Sequence, residues 1–147
     1  MSIFVTKNFR FSEFACPCCG KDRGVDSRFI YLLQNLREKI GKPIYITKGG
    51  GLRCRKYNQK IGGYRNSPHL RGMAGDIHAK NMSLIQLAKE SKSIGFSRIG
   101  IYPHNYFIHI DTYSARPNAS WIRDIQGRYI YFRKLEEAIE FISKEKS

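Results

Sequence analysis

Apolar residues recur along this chain in two distinct rhythms, and the rhythms divide it into elements. Asp26-Ser27 offers an N-cap, and Phe29, Ile30, Leu33, Leu36 and Ile40 follow at helical spacing until Gly41-Lys42-Pro43 stops the run. The pattern predicts a helix from about residue 27 to residue 40. Pro43–Thr47 is a short β-branched run and reads as a strand that enters the turn Gly49-Gly50-Gly51. Residues 55–68 read as a short helix and loop, and Gly75–Ala79 as a second strand. Ser83 can cap a helix carrying Leu84, Leu87, Ala88 and Ile94, with Gly95 ending it. Strands are expected at about residues 97–102 and 106–112, joined by Pro103-His104-Asn105. Gly127 is placed to turn a last hairpin between Trp121–Arg123 and Tyr129–Phe132, and Leu135, Ala138, Ile139 and Ile142 fit a terminal amphipathic helix. Residues 8–26 read as loop. The expected fold class is α+β, an antiparallel sheet with helices packed on it.

Length and composition bound this picture. At 147 residues with 41% hydrophobic content, the chain fits one domain with a real core. No apolar run approaches the roughly 18 residues of a membrane-spanning helix. The opening residues, MSIFVTKNFRFSEF, do not read as a secretion signal, because bases interrupt the apolar stretch and no small-residue cleavage site follows. The expectation is synthesis in the cytoplasm without a signal peptide.

Charge adds a partner class. The formal net charge is +14, and residues 48–71 contribute seven bases (Lys48, Arg53, Arg55, Lys56, Lys60, Arg65, Arg71) and no acid. Such a block attracts polyanions, among them nucleic acid, acidic lipid and cell-wall polymer, and charge does not choose between them. Four cysteines are present, three of them in Cys16-Pro17-Cys18-Cys19-Gly20 and the fourth at Cys54. They leave three readings open: a structural zinc knuckle using Cys16, Cys19 and Cys54, a disulfide from the cluster to Cys54, or free thiols.

Two histidine settings carry chemistry. In Ser67-Pro68-His69-Leu70-Arg71-Gly72-Met73-Ala74-Gly75-Asp76, an imidazole precedes a flexible glycine and then a carboxylate, so His69 and Asp76 can converge from adjacent segments. In Phe107-Ile108-His109-Ile110-Asp111, strand alternation sends His109 and Asp111 to one face and the two isoleucines to the core. Two imidazoles and a carboxylate make a three-ligand zinc site with an open fourth position, where water would be acidified to a pKa of roughly 7 and a carbonyl polarised.

These residues resemble a known family. His69-x-x-Gly72-x-Ala74-x-Asp76 after Ser67, with a later His109 in an apolar strand, is similar to the zinc D-Ala-D-Ala carboxypeptidase and L-alanyl-D-glutamate endopeptidase family. That family includes bacteriophage endolysins and shares its fold with the hedgehog signalling domain. Phe11-Ser12-Glu13-Phe14 before the Cys-Gly segment, Gly51-Leu52-Arg53-Cys54, Asn58, Ile61-Gly62-Gly63, Gly100-Ile101-Tyr102-Pro103, Arg116-Pro117 and Trp121 extend the likeness from about residue 9 to 122. Residues 123–147 form a C-terminal hairpin and helix extension.

The resemblance implies a zinc peptidase acting on peptidoglycan stem peptides or cross-links, with His69, Asp76 and His109 as ligands. Arg53 would stabilise an oxyanion or bind a substrate carboxylate. The missing export signal and compact size then suit action on the cell wall after phage-type release, and the basic block would hold anionic wall polymer. The ordered landmarks outrank charge, so nucleic acid is not the expected partner.

The chain departs from the family in two places. The turn Lys48–Gly51 is longer and lacks the customary serine. The acid expected three residues before the last histidine is Tyr106, and the alternative histidine two before it is Phe107; no acid lies between Glu90 and Asp111. Asp111 is the replacement general base, or else a carboxylate that orients His109, with His104 a more distant candidate. Trp121 is either core or groove wall. His78 lies two beyond Asp76 without an assigned role. A metal-containing but inert wall-binding module of the same fold is the alternative function.

Overall fold

The computed structural model describes residues 3–115 and 117–145, so Arg116 of the Arg116-Pro117 landmark lies outside the described residues. The chain opens with a small hairpin of β1 (Phe4–Thr6) and β2 (Phe9–Arg10), followed by a 3-10 turn at Phe11–Phe14. The sequence pattern reads residues 8–26 as loop and misses these pieces. They are too short to show periodicity, and burial of Phe9 and Phe14 in the core is what organises them.

The remaining elements follow the expected order. They are α1 (Ser27–Ile40), β3 (Ile44–Ile46), α2 (Arg55–Lys60), a 3-10 turn at Pro68–Arg71, β4 (Ala74–Ala79), α3 (Leu84–Ile94), β5 (Arg98–Tyr102), β6 (Phe107–Asp111), β7 (Ala119–Arg123), β8 (Tyr129–Phe132) and α4 (Leu135–Glu145). The caps act as their residue types require. The Asp26 carboxylate accepts from the Phe29 N–H and the Ser83 hydroxyl from the Gln86 N–H, each satisfying an orphan donor of the first turn.

Strands β3 to β8 form one six-stranded sheet in the order β3-β4-β6-β5-β7-β8. Every adjacent pair is antiparallel except β5 and β7, which run parallel because β7 returns to the free edge of β5 after the β5–β6 hairpin. The α+β fold is therefore present with an antiparallel-dominated sheet. The segment after β6 is integral to it: β7 extends the sheet and α4 packs on β7 and β8. No helix among the described residues is long and apolar enough to cross a membrane.

Alternation assigns the two faces of the sheet. Ile77, Ile99, Ile101, Ile108, Ile110 and Ile122 turn to the helices and join Phe29, Leu33, Leu36, Leu87, Phe96 and Ala138 in the core. Burying such side chains is worth about 1.5–3 kcal/mol each against exposure, so this face holds the sheet in place. The opposite face carries the polar and aromatic residues. One row crosses five strands in register: Asp76 opposite His109, His109 opposite Gly100, Gly100 opposite Trp121, and Trp121 opposite Tyr131.

Candidate metal centre

That row is the floor of a cleft of ≈ 280 Å³ whose other wall comes from residues 53–69. Asp76 and His109 arrive as a directly opposed pair on β4 and β6, and His69 comes from the 3-10 turn above them. Ser67 caps that turn by accepting the His69 N–H at 3.2 Å. Gly72 ends it at φ 68°, and any Cβ there would run into the backbone carbonyl of Gly24, so the reversal between His69 and Asp76 requires glycine.

Hydrogen bonds fix which nitrogen each ring presents. The His69 Nδ1–H donates to the Gly51 carbonyl at 2.9 Å, leaving Nε2 3.4 Å from Asp76 Oδ1. Asp111 Oδ2 takes the His109 Nε2–H at 2.7 Å, leaving Nδ1 3.1 Å from the same Asp76 oxygen. The three ligand atoms lie within 4.8 Å of one another, and all three residues are buried.

The electrostatics fit a cation at their centre. Burial pushes Asp76 up, but the charge and hydrogen bonds of His69 and His109 outweigh it and hold its carboxyl well below the usual range. Burial pushes His109 down, yet hydrogen bonds to Asp111 and Asp76 dominate and raise it to about 9. Burial lowers His69. The two carboxylates therefore favour positive charge beside His109. Two imidazole nitrogens and a carboxylate oxygen are a donor set suited to zinc.

The other candidates are placed as follows. Arg53 reaches into the cleft while the remaining bases of residues 48–71 stay on the surface. Its guanidinium donates to Gly49 O at 2.8 Å, Asn58 Oδ1 at 3.3 Å and Asp76 Oδ2 at 3.3 Å. Asp111 is fully buried. Beyond His109 it accepts from Arg98 Nε at 3.3 Å and from the Tyr113 N–H at 3.0 Å. Trp121 is groove wall: its indole lies over Gly100, where a Cβ would collide with it, and stands 5.2 Å from the His109 ring. His104 is exposed in its turn, and His78 pairs with Tyr45 toward the sheet edge, 5.2 Å between rings. Tyr106 points to solvent at φ 64°, whereas Phe107 lines the cleft.

Sequence reasoning gave no role to Arg98, Tyr102, Tyr129 and Tyr131, and Tyr102 entered only as part of a family landmark. Tyr129 and Tyr131 complete the aromatic wall, and the Tyr131 and Tyr64 hydroxyls meet across it at 3.0 Å. Strand alternation flags all four as one-sided, but only the register brings them to His109.

The chain's order of landmarks now has a match. A sequence model of peptidase M15 covers residues 7–111. The chain belongs to the peptidase M15 family. It is 35% identical over 85 residues to the zinc D-Ala-D-Ala carboxypeptidase of Streptomyces albus G, covering 55% of this chain and 32% of that protein. It is 33% identical over 104 residues to the peptidoglycan L,D-endopeptidase MepK of Escherichia coli K12, covering 66% of this chain and 56% of that one. The chain thus spans from about a third to just over half of these relatives' lengths. The α+β arrangement described above is the M15 peptidase fold.

The cysteines gather at a second place. The sulfurs of Cys16, Cys19 and Cys54 lie within 4.8 Å of one another, and all four cysteines are free thiols. Burial pushes Cys16 up, but N–H groups of Cys19, Cys54 and Cys18 aimed at its sulfur bring it down to about 7.

Proposed function

We propose that this chain is a zinc-dependent peptidase, working as one domain, that hydrolyses peptide bonds in the stem peptides or cross-links of bacterial peptidoglycan. The observation that carries the reading is the convergence of His69 Nε2, Asp76 Oδ1 and His109 Nδ1, from three separate segments, in an open cleft. Zinc held by these three would supply a Lewis acid that polarises a carbonyl and acidifies water to a pKa of about 7. The names of the two relatives, a D-Ala-D-Ala carboxypeptidase and a peptidoglycan endopeptidase, support the substrate class.

The chain's own residues divide the remaining work. Asp111 keeps the proton of His109 on Nε2, so that Nδ1 presents a lone pair. Arg53, braced by Gly49 and Asn58, offers a fixed guanidinium to a developing oxyanion or to a substrate carboxylate. Trp121, Tyr129 and Tyr131 form an apolar wall against which a peptide can lie. The exposed bases Lys48, Arg55, Lys56, Lys60, Arg65 and Arg71 hold an anionic wall polymer near the cleft.

A second reading, an inert wall-binding module of the same fold, draws on one observation. The carboxylates lining the cleft among the described residues, Asp76 and Asp111, are both engaged by histidine and arginine side chains. Incubation of purified walls with the zinc-loaded protein, followed by mass spectrometry of released fragments, separates the two. New amino and carboxyl ends that vanish with His69→Ala support the peptidase. Wall binding without new ends supports the module, and undiminished cleavage by a metal-stripped sample overturns the zinc mechanism.

A further inference from the structure

We propose that Cys16, Cys19 and Cys54, with the neighbouring Cys18 thiol completing the set, form a second metal centre, a structural zinc site that pins the amino-terminal segment to the turn carrying Arg53. The proposal does not depend on peptidase activity.

The local backbone is built around the Cys16 sulfur. Cys16-Pro17-Cys18-Cys19-Gly20 folds as a knuckle: the Gly20 N–H closes on the Cys16 carbonyl at 2.8 Å with Gly20 at φ 75°, and the Cys16 N–H donates to Lys21 O at 2.9 Å. Inside it the N–H groups of Cys18 and Cys19 point at Cys16 Sγ, and the Lys21 N–H points at Cys19 Sγ. From the other segment, the Cys54 N–H donates to Cys16 Sγ at 3.4 Å. N–H groups directed at sulfur stabilise negative charge there, which a thiolate carries and a disulfide sulfur does not.

The spacing suits zinc. Four sulfurs bound tetrahedrally at about 2.3 Å lie about 3.8 Å apart, and those of Cys16, Cys19 and Cys54 already fall within 4.8 Å. Cys18 stands outside that trio, its thiol toward Cys54 on the exposed side, and would turn in as the fourth ligand when an ion binds. A disulfide would use two of the three grouped sulfurs and leave the third without a purpose. A four-thiolate site uses them all and leaves no open position, as structural sites do.

The consequence for the cleft follows from connectivity. Leu52 N–H donates to Phe14 O at 2.9 Å, and Gly51 packs so tightly on the Phe14 backbone that a Cβ would come to 2.8 Å. Gly51 O fixes the His69 ring, the Arg53 N–H donates to His69 O at 3.3 Å, and Cys54 follows directly. Closing the cysteines around an ion therefore clamps the turn that orients both His69 and Arg53.

The test is metal content of the full chain, purified with zinc and without chelator. Wild type should carry about two molar equivalents, and H69A/H109A, which removes the cleft site, about one. Adding Cys16→Ser and Cys19→Ser to that variant should remove the remainder. Cobalt exchanged into H69A/H109A should give thiolate-to-cobalt charge-transfer absorption, and this decides the matter if the serine variant does not fold. The proposal is overturned if H69A/H109A, folded by circular dichroism, retains no zinc and shows no cobalt–thiolate band. Its intact mass, if lowered by a disulfide between any of these cysteines, also overturns it. Failure of wall cleavage leaves these readouts unmoved, so the two proposals fail separately.

Discussion

Replacing Asp111 by asparagine separates the two roles open to this carboxylate, and the hydrogen bonds supply the magnitude. Asp111 Oδ1 accepts the Tyr113 N–H at 3.0 Å, while Oδ2 accepts from His109 Nε2 at 2.7 Å and from Arg98 Nε at 3.3 Å. Asparagine keeps the shape and can keep the Tyr113 bond, but its amide nitrogen then faces two donors. The relief open to His109 is to accept at Nε2 and carry its proton on Nδ1, the atom that faces Asp76. The ligand lone pair is lost to a proton. Losing such a carboxylate partner typically weakens metal binding about 10–100-fold, or roughly 1.4–2.7 kcal/mol. Arg98 retains Pro117 O at 2.8 Å and the Trp121 ring at 5.1 Å, so the variant should stay folded with a lowered Tm. Zinc affinity measured by competition with a chromophoric chelator, beside wall-peptide release at saturating zinc, reads both quantities. The expected result is weakened zinc binding, with turnover largely recovered when zinc is saturating. If Asp111 were instead the proton acceptor, affinity would hold and turnover would fall about 10²–10⁴-fold even at saturation. An unchanged zinc affinity would falsify the orienting role.

Three further outcomes are expected. Gly100→Ala drives a methyl group into the Trp121 indole and should cost about 1–3 kcal/mol, seen as a lower Tm and altered near-ultraviolet circular dichroism of the single tryptophan; an unchanged spectrum would refute the close approach. Arg53→Gln should reduce wall-peptide release by about 10²-fold with zinc content retained, whereas loss of zinc would assign Arg53 to holding Asp76 instead. Asp124 accepts the Arg128 N–H at 2.8 Å, the Arg128 guanidinium at 2.8 Å and the Gln126 N–H at 2.9 Å, and the Arg128 contacts hold its carboxyl below the usual range. Because the folded pKa is depressed, this stabilisation is complete above the unfolded value of about 3.9 and is lost as pH falls through the folded one. The Tm difference between wild type and Asp124→Asn should accordingly be constant near neutrality and shrink below about pH 4; a difference independent of pH would remove the ionic contribution.

The main elements were legible because each buries one face and announces it. Phe29, Leu33 and Leu36 mark α1, and Ile108 and Ile110 mark β6, by periodicities that survive in the core. The hairpin at Phe4–Arg10 and the 3-10 turn at Phe11–Phe14 were not legible, since strands of three and two residues mark no face, and they depend on long-range burial of Phe9 and Phe14. The parallel pairing of β7 with β5 was equally hidden. It concerns which edge is free after a hairpin forms, and no local pattern records that.

The site divides along the same line. Residue types and spacing pointed to His69, Asp76, His109 and Asp111, the family resemblance added Arg53, and strand alternation put His109 and Asp111 on one face. Alternation cannot say which atom of a ring meets which neighbour. His109 has two nitrogens, and its tautomer depends on Asp111 two residues along the same strand and on Asp76 across the sheet. The pairing of Asp76 with His109 is a matter of register, and a slip by one residue would turn one of them into the helical layer. What pins the register is the isoleucine face: Ile77, Ile108 and Ile110 can be buried together in this alignment and in no alignment one residue away. The polar cluster is therefore held in place by the apolar side of the same strands. Destabilising substitutions among those isoleucines should weaken zinc binding at the cleft without touching any ligand, in proportion to their effect on folding.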